Sequence, residues 1–506
     1  MAHDTAAAVF QDMTAVQPIE QPRVTTHVLD RTLVRGVTWT GGIKGVTLLL
    51  SWACTIIVAR LLSPADYGLV AMATVYIGLT TMVTDFGLGT AIVALRDLNE
   101  ELTAQLHAVT ALVGIASFGI SCLVAVPLSR FFGAPGLVPV VVVLSTALVL
   151  DSLRTVPTAL LARELRFKYL SLLEGFKVLV AVAVTLALAA WGAGYWALVL
   201  GNVFAALVIT VFVLARLPQR SARPRFRTLK SALTFSSHFL MGQLAWYGYS
   251  NADFVVAGRV LGRIALGNYT LAWTLTSAPG DKIMAIFGRV MPMMLAAVQR
   301  DTEALRRYFF LFTEALAILI VPASVGLALV APDFVLLVFG SKWAAAVVPL
   351  QLLCFYTAIH ILATPTTPVL QVTGQASFPA RCGILTLFIL PPAFYFAGTR
   401  WGTLGIAAIW LSIYPLVLIP VYVRVFRTLH IRVRDYLACV GPTLVSAVVM
   451  AVVVLTIPTL APAAWPLGAR FGLQVASGAA AFVAAALFIQ RRRLGVLADF
   501  LRTIRS

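Results

Sequence analysis

Fourteen apolar stretches follow one another along this chain, and no other feature limits its fold so tightly. They run approximately Thr38–Leu61, Tyr67–Leu95, Leu106–Leu128, Leu137–Leu160, Leu170–Trp191, Tyr195–Leu214, Leu233–Val256, Leu266–Val298, Tyr308–Ala331, Ala345–Thr364, Ala380–Gly398, Leu404–Val425, Tyr436–Leu460 and Leu467–Ile489. An α-helix rises 1.5 Å per residue, so about 20 apolar residues cross the ~30 Å hydrocarbon core of a bilayer. Inside that core the backbone has to satisfy its own hydrogen bonds, which makes helices the spanning element for stretches of this length. The expected fold is therefore an all-α polytopic membrane protein with about 14 transmembrane helices. The second and eighth stretches exceed one straight crossing and are expected to project from the bilayer.

Composition points the same way. Of 506 residues, 60% are apolar and 11% charged, against about 45–50% and about 25% in soluble domains. These values exclude a soluble enzyme, a disordered chain and a secreted disulfide scaffold. Cys54, Cys122, Cys354, Cys382 and Cys439 each lie in or beside an apolar stretch, and no CxxC or Cys/His spacing is present. They read as packed thiols, with no metal site and no cofactor expected.

The net charge of +18 carries orientation. With the N-terminus inside and the spans alternating, 27 of the 38 Lys and Arg fall on the inner side, seven on the outer side and four within spans. This is the positive-inside asymmetry, and it places both termini in the cytoplasm. Basic residues are spread between apolar stretches, so a nucleic-acid surface is not expected. Residues 1–34 lack the basic and apolar regions of a signal peptide and read as a disordered cytoplasmic arm. Residues 491–506 form a basic cytoplasmic tail.

Two halves of the chain resemble each other. Ala59-Arg60-Leu61-Leu62 matches Gly258-Arg259-Val260-Leu261, Asp66-Tyr67-Gly68-Leu69 matches Asn268-Tyr269-Thr270-Leu271, and Phe86-Gly87 matches Phe287-Gly288. The offsets of 199, 202 and 201 stay nearly in phase. A basic linker, residues 217–231, separates an N-lobe (35–216, helices 1–6) from a C-lobe (232–425, helices 7–12). Residues 426–490 add helices 13 and 14. Six spans per lobe is an even number, so the lobes are related by a pseudo-two-fold along the membrane normal. Two lobes about such an axis leave a central cleft that rocking opens to one face at a time. Arg60, Asp66, Tyr67, Gly87, Arg259, Tyr269 and Gly288 are read as the structural and gating repeat motif.

Ionisable residues within spans are costly and mark functional candidates. Lys282 and Arg289 lie seven residues apart on one face of span eight, about 10 Å apart along the axis. Such a pair suits a pyrophosphate; alternatively the two cations snorkel, or pair with Asp281 or Asp253. The preceding Pro279-Gly280 is expected to loosen the helix. Lys44 either faces the cavity or snorkels to the inner surface. Asp151 and Arg154, three residues apart, form an ion pair or a binding site, and Glu174 and Lys177 a surface pair. Asp85, Asp151, Asp253, Asp281 and Glu314 are candidates for ion coupling or counter-charge, with H+ or Na+ as the possible ion. His238, Gln243, Tyr247, Asn251 and His360 are candidate cavity-lining polar groups. Each histidine reads either as a proton carrier or as a hydrogen-bonded packing residue.

No Walker A loop, GxSxG, HExxH or DxD-type loop occurs, and no loop is large enough to form a soluble catalytic domain. No catalytic residues are expected.

Ala59-Arg60-Leu61-Leu62-Ser63-Pro64-Ala65-Asp66-Tyr67-Gly68, followed by Thr84-Asp85-Phe86-Gly87-Leu88-Gly89-Thr90-Ala91, resembles the opening of bacterial polysaccharide transporters. These are the Wzx-like flippases of the multidrug/oligosaccharidyl-lipid/polysaccharide exporter superfamily, in the branch of colanic-acid and exopolysaccharide exporters. The resemblance implies a multi-pass protein of the bacterial inner membrane. It implies movement of undecaprenyl-pyrophosphate-linked oligosaccharide from the inner to the outer leaflet for exopolysaccharide or O-antigen assembly. It also implies membrane lipids as surroundings, and polysaccharide polymerase and export machinery as partners. Lys44, Arg154, Lys282 and Arg289 become the candidate cations of a central cavity. An ion-coupled drug or metabolite antiporter, a lipid II flippase and a membrane-bound sugar polymerase, ligase or acyltransferase remain as alternatives.

Overall fold

A computed structural model describes residues 47, 50–85, 89, 92, 99–164, 166–224, 243–460 and 465–505. Lys44, Gly87 and His238 lie outside these residues, and so do the side chains of Asp85 and Arg289. No strand occurs among the described residues. The helices are α1 (Leu50–Leu61), α2 (Pro64–Asp85), α3 (Glu100–Phe132), α4 (Leu137–Arg163), α5 (Phe167–Ala190) and α6 (Trp196–Arg216). After the linker, helical residues 243–250 lead into α7 (Ala252–Val256) and a π-helical turn, Ala257–Leu261. There follow α8 (Gly262–Ala297), α9 (Thr302–Val338), a 3₁₀ turn (Ser341–Ala346), α10 (Val347–Ala363) and α11 (Thr366–Val372). The chain closes with α12 (Ser377–Thr428), α13 (Val433–Leu460) and α14 (Leu467–Arg505).

Ten helical stretches among the described residues are long and apolar enough to cross a membrane. The protein is an all-helical, multi-pass membrane protein. Large apolar side chains point outward, as lipid requires: Leu123, Phe388 and Phe488 are 78%, 71% and 91% exposed.

Local sequence explains where helices begin and turn. The Asn99 side chain accepts from Leu102 N at 2.7 Å and caps α3, and Gly133 ends that helix in the left-handed region at φ 63°. Asp301 caps α9 through the amides of Glu303 and Ala304. Ser63 and Asp66 close on each other at the start of α2: Asp66 Oδ2 accepts from the Ser63 amide at 2.9 Å and hydroxyl at 2.6 Å. Asp66 is thus a helix-start residue. The 52-residue α12 is two helices joined at Gly402, whose φ of 61° and ψ of −145° break the ladder. Its arms pack directly at that break, a Cβ on Gly398 lying 3.3 Å from Ile406.

One expectation for α8 is corrected. Pro279-Gly280 does not open α8, which is helical from Gly262 to Ala297. Its ring sits where α10 supports the helix, Gly280 facing Ile361 and Thr357. The irregular backbone lies earlier, at Asn251 and in the π turn.

Helices α3–α6 pack mainly on one another and on α2, and α7–α14 mainly on one another. The most extensive contact between these two sets is α2 against α8. The largest buried cluster crosses that junction, running from Ala59, Leu69 and Met72 to Leu266, Phe339, Trp343 and Trp410. The core of the molecule therefore includes the seam between its halves.

Candidate functional site

The seam is built from reciprocal contacts. A Cβ on Gly68 of α2 would lie 1.7 Å from the Arg263 carbonyl oxygen, and a Cβ on Gly267 of α8 would lie 1.7 Å from the Pro64 carbonyl oxygen. Each glycine lets the opposite backbone approach closer than any side chain permits. Pro64 and Gly68 map onto Arg263 and Gly267 with the same offset of 199 that relates Arg60 to Arg259. The Asp66-Tyr67 to Asn268-Tyr269 match, at 202, is therefore not the structural equivalence. Tyr67 faces the other half, its ring edge-on to Trp343 at 5.2 Å. Tyr269 is buried within its own half. Close helix approach depends on missing Cβ atoms, so the glycines and not the tyrosines carry the symmetry.

Around this contact, each half caps helix ends of the other. The final carbonyls of a helix have no partner within it. Arg60 Nε donates to the Val338 carbonyl at 2.6 Å, and Arg60 Nη2 to that of Leu337, closing the end of α9. In return, Lys342 Nζ donates to the carbonyls of Arg60 at 2.7 Å and Leu62 at 2.6 Å, and Trp343 Nε1 to that of Ala59 at 2.9 Å. These two donors, through three hydrogen bonds, finish α1. Arg259, the repeat partner of Arg60, lies over the Phe131 ring at 5.4 Å, at the end of α3. Gly288 makes no such close approach, a Cβ there meeting only Met284 at 3.6 Å.

Further along the seam, the Tyr247 hydroxyl donates to the Val75 carbonyl at 2.8 Å, joining the segment before α7 to α2. Asn251 is turned back onto the Tyr247 carbonyl at 3.1 Å, and Gln243 is half-buried. Asp253, fully buried, is held by neutral donors and is not a counter-ion of Lys282. Its Oδ2 accepts from Tyr269 at 2.6 Å and Trp410 at 2.8 Å, and its Oδ1 from the Phe254 amide at 2.9 Å. Trp273, Tyr356 and Tyr414 surround this group. His360 stacks on Tyr356 and bonds the Tyr414 hydroxyl through Nδ1 at 2.8 Å.

The candidate cations differ in environment. Arg154 donates to Asp151 at 2.8 Å and lies 3.6 Å from Glu174, while Lys177 lies 3.7 Å from Asp151. Glu174 and Lys177 therefore do not pair with each other. They cross from α5 to α4, and the network is neutral. Asp281 and Lys282 are both exposed on α8, and Lys282 has no salt bridge among the described residues. Lys282 is 15 residues beyond Gly267, about 22 Å along the helix from the closest contact of the halves. Glu314 is half-buried on α9.

Sequence reading missed the roles of Gly68, Gly267, Lys342 and Trp343. The visible signal was limited to glycines near the starts of two repeat-related helices. Trans-capping leaves no local pattern, because its partners are about 280 residues apart.

Residues 57–348 match a family described as polysaccharide biosynthesis protein. The chain belongs to that family. The matched segment begins just before Arg60 and ends just after Trp343, so it encloses both sides of the capped seam. Two relatives fit the family's description. The lipopolysaccharide biosynthesis protein WzxC of Escherichia coli (strain K12) is 25% identical, over 74% of this chain and 76% of that one. The succinoglycan biosynthesis transport protein ExoT of Rhizobium meliloti (strain 1021) is 27% identical, over 77% and 79%. In fold, the chain is similar to the lipid II flippase MurJ in an inward closed conformation. The TM-score is 0.71 at 12% identity, covering 90% of this chain and 99% of that one.

Proposed function

We propose that this protein is a flippase that moves undecaprenyl-pyrophosphate-linked oligosaccharide from the inner to the outer leaflet of the bacterial inner membrane. It crosses the membrane fourteen times, with both termini in the cytoplasm. Besides the ten long apolar stretches, one of which is α12, the count takes in α1, the helix through residues 243–256, α8 and the second arm of α12. The positive-inside charge distribution then puts the Arg60–Lys342 seam at the outer face.

The contrast along α8 supports this reading most strongly. At Gly267 the halves are in backbone contact, whereas Lys282 is exposed about 22 Å further on. A transporter closed outside and open inside presents such an arrangement. Lys282, with Arg289 and Lys44, offers cations to the pyrophosphate, and Arg154 joins them by releasing Glu174. The polyprenyl tail stays in lipid while the oligosaccharide occupies the cleft. Rocking the halves breaks the seam and opens the cleft outward. H+ or Na+ coupling would act through a buried carboxylate, of which Asp253 is the most enclosed. Polymer assembly beyond the outer leaflet falls to a polymerase and export machinery.

Deletion of the gene tests this reading. Surface polymer should be lost, and the polyprenyl-linked oligosaccharide should accumulate in the inner leaflet. Unchanged polymer with altered drug or metabolite efflux would instead support an antiporter of the same superfamily. Arrested cell-wall synthesis with accumulated lipid II would support a lipid II flippase.

A further inference from the structure

Away from the seam, α9, α13 and α14 enclose an apolar groove of ≈ 420 Å³. It runs from Pro322 to Phe334 on α9 and from Phe471 to Val483 on α14. Each run is about 18 Å long, close to one leaflet of a ~30 Å hydrocarbon core. Its walls are almost entirely apolar, and one polar atom interrupts them. Gln474 is 4% exposed, yet its Oε1 accepts no hydrogen bond. An orphan acceptor in a dry groove costs free energy unless a donor arrives. One turn before it on α14 stands Arg470, whose Nε lacks a hydrogen-bond partner and lies 3.6 Å from Asp333 Oδ2. The adjacent rings of Phe334 and Phe471, 5.9 Å apart, stack across the same end of the groove. The mouth thus offers one cationic donor and two acceptors, Asp333 and Gln474, above an apolar trough.

We propose that this groove is a binding site for a phospholipid whose headgroup carries both a phosphate and a primary ammonium. One acyl chain fills the trough, the phosphate sits on Arg470, and the ammonium N–H groups serve Asp333 and Gln474. A quaternary ammonium has no N–H to give, and a glycerol headgroup brings no cation to stand beside Asp333 once the phosphate has drawn Arg470 from it. The site is independent of the transported substrate and of the flippase reading.

The test is native mass spectrometry of the full chain extracted from nanodiscs containing equal parts phosphatidylethanolamine, phosphatidylcholine and phosphatidylglycerol. Wild type should retain one phosphatidylethanolamine in about tenfold preference over either competitor, a difference that one or two charge-assisted hydrogen bonds can supply. Asp333→Asn and Gln474→Leu should each reduce that preference while a lipid is still retained. Ala479→Phe, which fills the trough, should abolish retention. Equal retention of the three lipids, preference unchanged in both headgroup variants, retention unaffected by Ala479→Phe, or a polyprenyl lipid held in place of phospholipid would each overturn the proposal.

Discussion

Gly68 and Gly267 stand in the same relation to each other's helix: each would place a Cβ 1.7 Å from a carbonyl oxygen four residues before the other glycine. Neither contact tolerates a methyl group without separation of α2 from α8. Gly68→Ala and Gly267→Ala should therefore disfavour closure at this end and reduce polymer export at least about tenfold at unchanged membrane levels. Gly119→Ala is the control, since nothing lies within 4 Å of its Cβ. It should be neutral or stabilising by up to about 1 kcal/mol, the helix-propensity difference between Gly and Ala. Complementation of a deletion strain, with immunoblotting, checks all three.

Arg60 and Lys342 act on opposite halves, so their removal should weaken one shared state. Hydrogen bonds to charged groups are worth about 1.5–3 kcal/mol each before exposure is considered, and Arg60 is exposed. Arg60→Ala and Lys342→Ala should each shift the seam toward opening, and the double variant should shift it by less than the sum of the two. Arg60→Lys should not restore closure, because the contact uses two nitrogens of one guanidinium on successive carbonyls. Spin-label distances between the ends of α1 and α9 read these populations.

Asp253 fixes α7 to α8 and α12 through Tyr269 and Trp410. Asp253→Leu leaves both donors buried without an acceptor, which costs about 1–3 kcal/mol for each. Thermal unfolding in detergent should occur several degrees lower than in wild type. Tyr269→Phe removes one donor and should cost less.

The Asp151–Arg154–Glu174–Lys177 network is neutral, so removing one member leaves an imbalance in a partly buried place. Lys177→Ala should lower stability, and Lys177→Arg should largely restore it. If Arg154 also meets the substrate, Arg154→Lys should keep protein levels while reducing export. Thermal melts run beside export assays separate the two roles.

Much of the architecture was legible because a bilayer forces a simple code of length and apolarity. Thirteen of the helices, all but the short α11, lie in or across stretches visible in the sequence. The site was less legible. Charge in a span announces cost but not partner, and the pairing of Lys177 with Asp151 across two helices could not be read from spacing. Asp253 looked like an ion site because its partners, Tyr269 and Trp410, are 16 and 157 residues away. The repeat was visible, but the tyrosine match misplaced its register. What two-fold packing preserves here is the pair of positions where a Cβ must be absent.

Flipping itself is measured by reconstituting the purified chain in liposomes that carry host polyprenyl-pyrophosphate oligosaccharide. Glycan access to an external glycosidase is followed over time. Wild type should expose the glycan much faster than protein-free liposomes, Gly267→Ala should expose it slowly, and Lys282→Ala at a reduced rate. Exposure no faster with wild type than without protein, in vesicles where the chain is folded and correctly inserted, would show that this chain does not flip the lipid-linked oligosaccharide.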